Sequence, residues 1–149
     1  MITGAKEIRP GVFWIGTLDP DLRVFDVIME TKYGTTYNAY VVKGNDKVAL
    51  IETVKEKFFD QYLERLKQVV DPTQVDYLIM NHTEPDHSGS VARLLQLNPK
   101  ITVIGSQTAL TFLKAIVNRP FNSKEVSEGD FIELGEARLQ FIAAPFLHW

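Results

Sequence analysis

Within the stretch Asn81-His82-Thr83-Glu84-Pro85-Asp86-His87-Ser88-Gly89, four of nine residues carry metal donors: His82, Glu84, Asp86 and His87. Imidazole nitrogen and carboxylate oxygen together bind zinc, iron and manganese. The spacing excludes one helical face, because residues two apart point roughly 200° apart at 3.6 residues per turn. Pro85 also opposes a helix interior. On an extended loop, by contrast, positions 82, 84 and 86 can point the same way. A polar, solvated loop is the plainer alternative. Density argues against it: the chain has three histidines, and two lie here. The third, His148 in Ala144-Pro145-Phe146-Leu147-His148-Trp149, is the remaining candidate ligand. There is no cysteine, which excludes disulfides, thiol catalysis, cysteine-ligated iron–sulfur clusters and thiolate zinc sites.

The elements around this stretch must hold it in place. Asp76 to Met80 reads as a strand buried on both faces, and Ser88 as the N-cap of a helix carrying Val91, Leu94 and Leu95. The metal-donor stretch therefore joins the C-terminal end of a buried strand to a helix, where open α/β sheets place their sites. Upstream, Val12–Ile15 is a predicted strand, and Tyr37–Val42 and Lys47–Thr53 form a hairpin about Gly44-Asn45. Over 57–70 the period becomes helical, with Phe58, Phe59, Tyr62, Leu63, Leu66, Val69 and Val70 on one face. Downstream, Ile101–Ile104 is another buried strand. Ser106 caps a helix with Leu110, Leu113, Ile116 and Val117 on one side. Phe131–Leu134 and Ala137–Ala143 pair about Gly135-Glu136, with Leu139, Phe141 and Ala143 on one face. This order predicts an α/β (α+β) domain, a mixed sheet with helices packed on it.

The 149 residues fit one domain, 45% apolar and 23% charged, which argues against disorder. No apolar run reaches the roughly 18 residues of a membrane span, and no signal peptide is visible at the N-terminus. The net charge of −3, with no basic block, argues against a nucleic-acid partner. A reducing cytoplasm is the expected location.

His-x-Glu-x-Asp-His after a buried strand resembles the metallo-β-lactamase superfamily in its flavodiiron variant, the A-type flavoproteins. Gly34-Thr35-Thr36-Tyr37-Asn38-Ala39-Tyr40 is similar to that family's signature before its first long strand, and Pro145-Phe146-Leu147-His148-Trp149 to the stretch carrying its next histidine ligand. Zinc hydrolases of the superfamily typically have a second histidine where this chain has Glu84. The resemblance implies an αββα sandwich, of which residues 1–149 form about the N-terminal half. It also implies a non-haem di-iron site, with His82, Glu84 and His148 serving one iron and Asp86 and His87 the other. Zinc or manganese, or an empty site, are the alternatives for this chain. The complete family proteins, as the resemblance implies, reduce dioxygen or nitric oxide with electrons passed through FMN from a donor such as rubredoxin. A carboxylate in place of an imidazole favours iron or manganese over zinc.

The resemblance further implies a bridging aspartate, another histidine and a flavodoxin-like FMN domain beyond Trp149. The chain alone is thus expected to bind no FMN and to be inactive. Asp26 stands where many members have a histidine, and Glu52 where an aspartate is usual; Glu52 is read as closing a strand end. Trp14 and Tyr40 are read as core aromatics. Two rival readings are a zinc hydrolase, with metal-bound water attacking an ester or amide, and a non-catalytic, self-associating fragment. One face of the sheet is expected to lie open to water, which predicts a homodimer.

Overall fold

The computed structural model describes residues 4–145. Its strands are β1 (Lys6–Arg9), β2 (Val12–Trp14), β3 (Thr17–Asp19), β4 (Val24–Phe25), β5 (Met29–Glu30), β6 (Thr35–Tyr37), β7 (Tyr40–Lys43) and β8 (Val48–Ile51), followed by helix α1 (Phe59–Val69). Then come β9 (Tyr77–Ile79), α2 (Pro85–Ser88), α3 (Val91–Leu97), β10 (Thr102–Gly105), α4 (Gln107–Val117), β11 (Asn122–Glu125), β12 (Phe131–Glu133) and β13 (Arg138–Gln140). Seven strands form one sheet in the order β1-β2-β7-β8-β9-β10-β11. The first half is antiparallel; from β8 onward β8, β9, β10 and β11 run parallel. The change falls at β8, because the β7–β8 turn is tight while each later strand is reached through a helix.

Side-chain alternation along the central strands builds two cores. Val41, Leu50, Leu78 and Val103 face the helices, under Phe59, Tyr62 and Leu66 of α1, Val91, Leu94 and Leu95 of α3, and Leu110, Leu113 and Val117 of α4. Their neighbours Val42, Ala49, Ile79 and Ile104 face the other way and pack with Val126, Ile132 and Leu134. The hairpin of β12 and β13 supplies that second cover. This overturns the expectation of a sheet face open to water: Val42, Ala49, Ile79 and Ile104 are all buried within the chain. The dimer expected on that ground loses its physical basis.

Other expectations need correction in detail. The strand expected at 37–42 is divided, with Tyr37 ending β6 against β3 and Tyr40 beginning β7. In α4, Ile116 lies on the exposed side. Ala143 is exposed, whereas Leu139 and Phe141 are half-buried against the second core. Strand β11 and the small ladders β3–β6 and β4–β5 add to the expected set. Trp14 is buried, donates from Nε1 to Asn38 Oδ1 at 3.0 Å and carries Arg65 over its ring, as befits a core aromatic. No helix among the described residues is long and apolar enough to cross a membrane.

Candidate metal centre

Strand β9 delivers the chain to the C-terminal end of the parallel sheet, and the donor residues follow at once. Thr83 is buried, while His82 and Glu84 are partly exposed. The extended run stops at Glu84, and Pro85 opens a one-turn helix at its first position. This corrects the expected loop: proline is excluded from helix interiors but suits the first turn, where its missing N–H has no partner to lose. Asp86 and His87 are therefore projected by a helical turn and not by extended chain. Ser88 does not cap the next helix. It ends α2, and its Oγ donates to Thr83 O at 2.8 Å and Glu84 O at 3.0 Å. Ser90 takes the position before α3 and donates to Val54 O at 2.8 Å.

The donors assemble in pairs. His82 Nε2 lies 3.4 Å from Glu84 Oε2, and His87 Nε2 lies 3.3 Å from Asp86 Oδ2. The two imidazole rings meet edge to face with centroids 4.9 Å apart. Ligands bound to one ion at about 2.1 Å, separated by an angle between square and tetrahedral, sit about 3.0–3.4 Å from each other. Both pairs have a separation that two ligands of one ion would also have. Among the described residues no group of three or more donors converges on one point. His148, the expected third ligand of the first pair, lies outside the described residues.

Sequence reasoning missed a partner of this site. Glu52 follows β8 directly, is buried, and has a left-handed φ of 63°. Its Oε1 accepts from Asn81 N, and its Oε2 lies 2.7 Å from His87 Nδ1. Glu52 N donates to Ile79 O at 2.9 Å, and Thr53 N to His87 O at 3.0 Å. The reading of Glu52 as a residue closing a strand end is therefore incomplete, since its carboxylate grips both ends of the donor loop. The bond to Glu52 outweighs burial and raises the His87 imidazole above the usual histidine range. The available signal was a carboxylate at the end of a strand adjacent to β9. Asp26 lies exposed at the β4–β5 turn with φ 50°. A cleft of about 770 Å³ opens beside the donors, lined by His82, Thr83, Ser106, Phe112, Val126 and Ile142 among others.

A mixed sheet with helices on one face, a β-hairpin on the other and a histidine–carboxylate loop after a parallel strand defines a metallo-β-lactamase-like domain. Residues 35–149 match the family described as ODP family beta lactamase, and the chain belongs to that family. It is 50% identical over 147 residues to flavo-diiron protein FprA2 of Clostridium acetobutylicum, covering 97% of this chain and 36% of that protein. It is 43% identical over 150 residues to a type A flavoprotein of Rhodobacter capsulatus, covering 99% and 34%. Among solved structures, the rubredoxin oxygen:oxidoreductase of Desulfovibrio gigas superposes with a TM-score of 0.91 at 29% identity, over 97% of this chain and 36% of the other. The flavodiiron protein of Giardia intestinalis superposes at 0.90 and 27%, over 100% and 36%. The chain corresponds to the N-terminal part of these flavodiiron relatives and spans about a third of their length.

Proposed function

We propose that this chain supplies the first ligands of a non-haem di-iron centre in an oxidoreductase that reduces dioxygen, nitric oxide or both. In this reading His82 and Glu84 hold one iron, with His148 as a further ligand, and Asp86 and His87 hold the other. The observation that carries it is the pairing of one imidazole with one carboxylate at 3.4 and 3.3 Å, side by side, in a fold shared with flavodiiron proteins. When bound, the iron pair supplies redox chemistry toward a diatomic gas.

The chain's own residues have three tasks. The two carboxylates bring negative charge and hard oxygen donors, which favours iron or manganese over zinc and disfavours the hydrolase reading. The α2 turn fixes Asp86 and His87 relative to each other. The cleft beside His82 gives a small molecule access from the side of Phe112 and Ile142. Electrons arrive through FMN from a donor of the rubredoxin kind; the similarity to the rubredoxin oxygen:oxidoreductase of Desulfovibrio gigas supports the choice of donor.

Elemental analysis after anaerobic loading with Fe(II) tests the reading. Wild-type chain is expected to retain iron, and the double substitution His82→Ala, Glu84→Ala to abolish uptake. Unchanged stoichiometry in the double variant would place the metal elsewhere. A longer protein that joins this chain to the remaining metal ligands and a flavin domain, at the full length of its relatives, is expected to consume dioxygen or nitric oxide when given a reduced donor.

A further inference from the structure

Glu52 faces two nitrogens at once. The Asn81 amide points at Oε1, and the Nδ1 edge of His87 points at Oε2 at 2.7 Å. An ionised carboxylate is acceptor-only and has two oxygens, so it matches both nitrogens when Nδ1 carries the proton. No neutral isostere does: a glutamine offers one oxygen and one NH2, and must leave one of the two N–H groups facing a donor. The backbone supports the same arrangement. Glu52 sits at φ 63°, a conformation that non-glycine residues rarely adopt and that persists where surrounding contacts over-determine it. Its own N–H is tied to Ile79 O, and the next residue's N–H to His87 O. The ring of His87 is therefore held from behind, with Nε2 turned toward Asp86 Oδ2.

We propose that Glu52 is a positioning residue that fixes His87 as the tautomer with its proton on Nδ1, so that the Nε2 lone pair is presented beside Asp86 as a ready metal ligand. The inference rests on the di-iron reading for its purpose, but its geometry stands on the metal-free chain. Outer carboxylates that hold the far nitrogen of a ligand histidine typically change metal affinity by about 10- to 100-fold when removed.

Long-range proton–nitrogen NMR of the metal-free full chain, at a pH alkaline enough to leave the ring neutral, reads the tautomer directly. His87→Ala identifies the signal. The expected result is Nδ1–H in the wild type, loss of that preference in Glu52→Gln, and Fe(II) affinity lowered about 10- to 100-fold in Glu52→Gln. A protonated Nε2 in the wild type would overturn the proposal, and this arm needs no variant to fold. An unchanged tautomer in a cooperatively folded Glu52→Gln would overturn it as well. The Nδ1–H form in a wild-type chain that takes up no Fe(II) would support the positioning role and count against the di-iron reading instead.

Discussion

Gly44 and Leu134 touch so closely that no β-carbon fits between them: a Cβ built on Gly44 would fall 1.7 Å from the Leu134 carbonyl oxygen. Asp46 N and Lys47 N donate to that same oxygen, at 3.1 and 3.3 Å. The β7–β8 turn thus receives the end of β12 as a seat. Gly44→Ala is expected to unseat the β12–β13 hairpin and to cost about 1–3 kcal/mol, as overpacking does. Hydrogen exchange should show Ile132 and Leu134 losing protection while Leu50 and Leu78 keep theirs.

Acid should weaken the N-terminal region through Asp19. Burial disfavours its charge, but hydrogen bonds from Lys57 and Tyr37, each at 2.9 Å, outweigh that and hold the carboxyl below its usual range. A group depressed in the folded state contributes stability above its unfolded value and loses it as pH falls through the folded one. The contribution is therefore complete above pH 3.8 and declines below it. Asp19→Asn is expected to lower stability near neutrality by about 1–3 kcal/mol and to flatten this acid limb, read by urea unfolding across the range.

Val27 is 91% exposed and holds φ 71°. A β-branched side chain in the left-handed region is strained, by about 1–2 kcal/mol, and an exposed one has no packing to lose. Asparagine tolerates that conformation. Val27→Asn should raise stability modestly, by up to about 1 kcal/mol, seen as a higher unfolding midpoint at an unchanged denaturant slope.

Gly89 tests the rigidity of the α2 turn. A Cβ there would lie 2.5 Å from Pro85 O and 2.8 Å from Glu56 N. Gly89→Ala is expected to shift Asp86 and His87 while leaving the sheet intact. Iron affinity, followed by competition with a chelator, should fall by more than the loss in melting stability accounts for.

The parts of this fold that were legible in the sequence are those where burial writes a pattern. Leu78-Ile79 and Val103-Ile104 are apolar on both faces because both faces are covered, and the helical period of α1 tracks its buried Phe59, Tyr62 and Leu66. Strand β11, Asn-Ser-Lys-Glu, is exposed throughout and held by its pairing with β10, so no hydrophobic signal marks it. Pro85 opposes a helix interior yet opens α2, and the difference between a first turn and an interior is one of position, not composition. At the metal centre the donor residues announce themselves by type. The grip of Glu52 on His87 does not, since it depends on β8 and β9 lying side by side.

The hairpin that covers the second core has a consequence for the order of folding. Ala49, Ile79 and Ile104 belong to segments that emerge from the ribosome before residues 131–140 do. The sheet can pair and receive its helices first, leaving those side chains wet until the last hairpin arrives. Closure between such distant segments comes late in folding, and exposed apolar surface in the interval invites aggregation. Substitutions at Ile132 or Leu134 should therefore accelerate unfolding far more than they slow folding, and should make nascent chains dependent on chaperones.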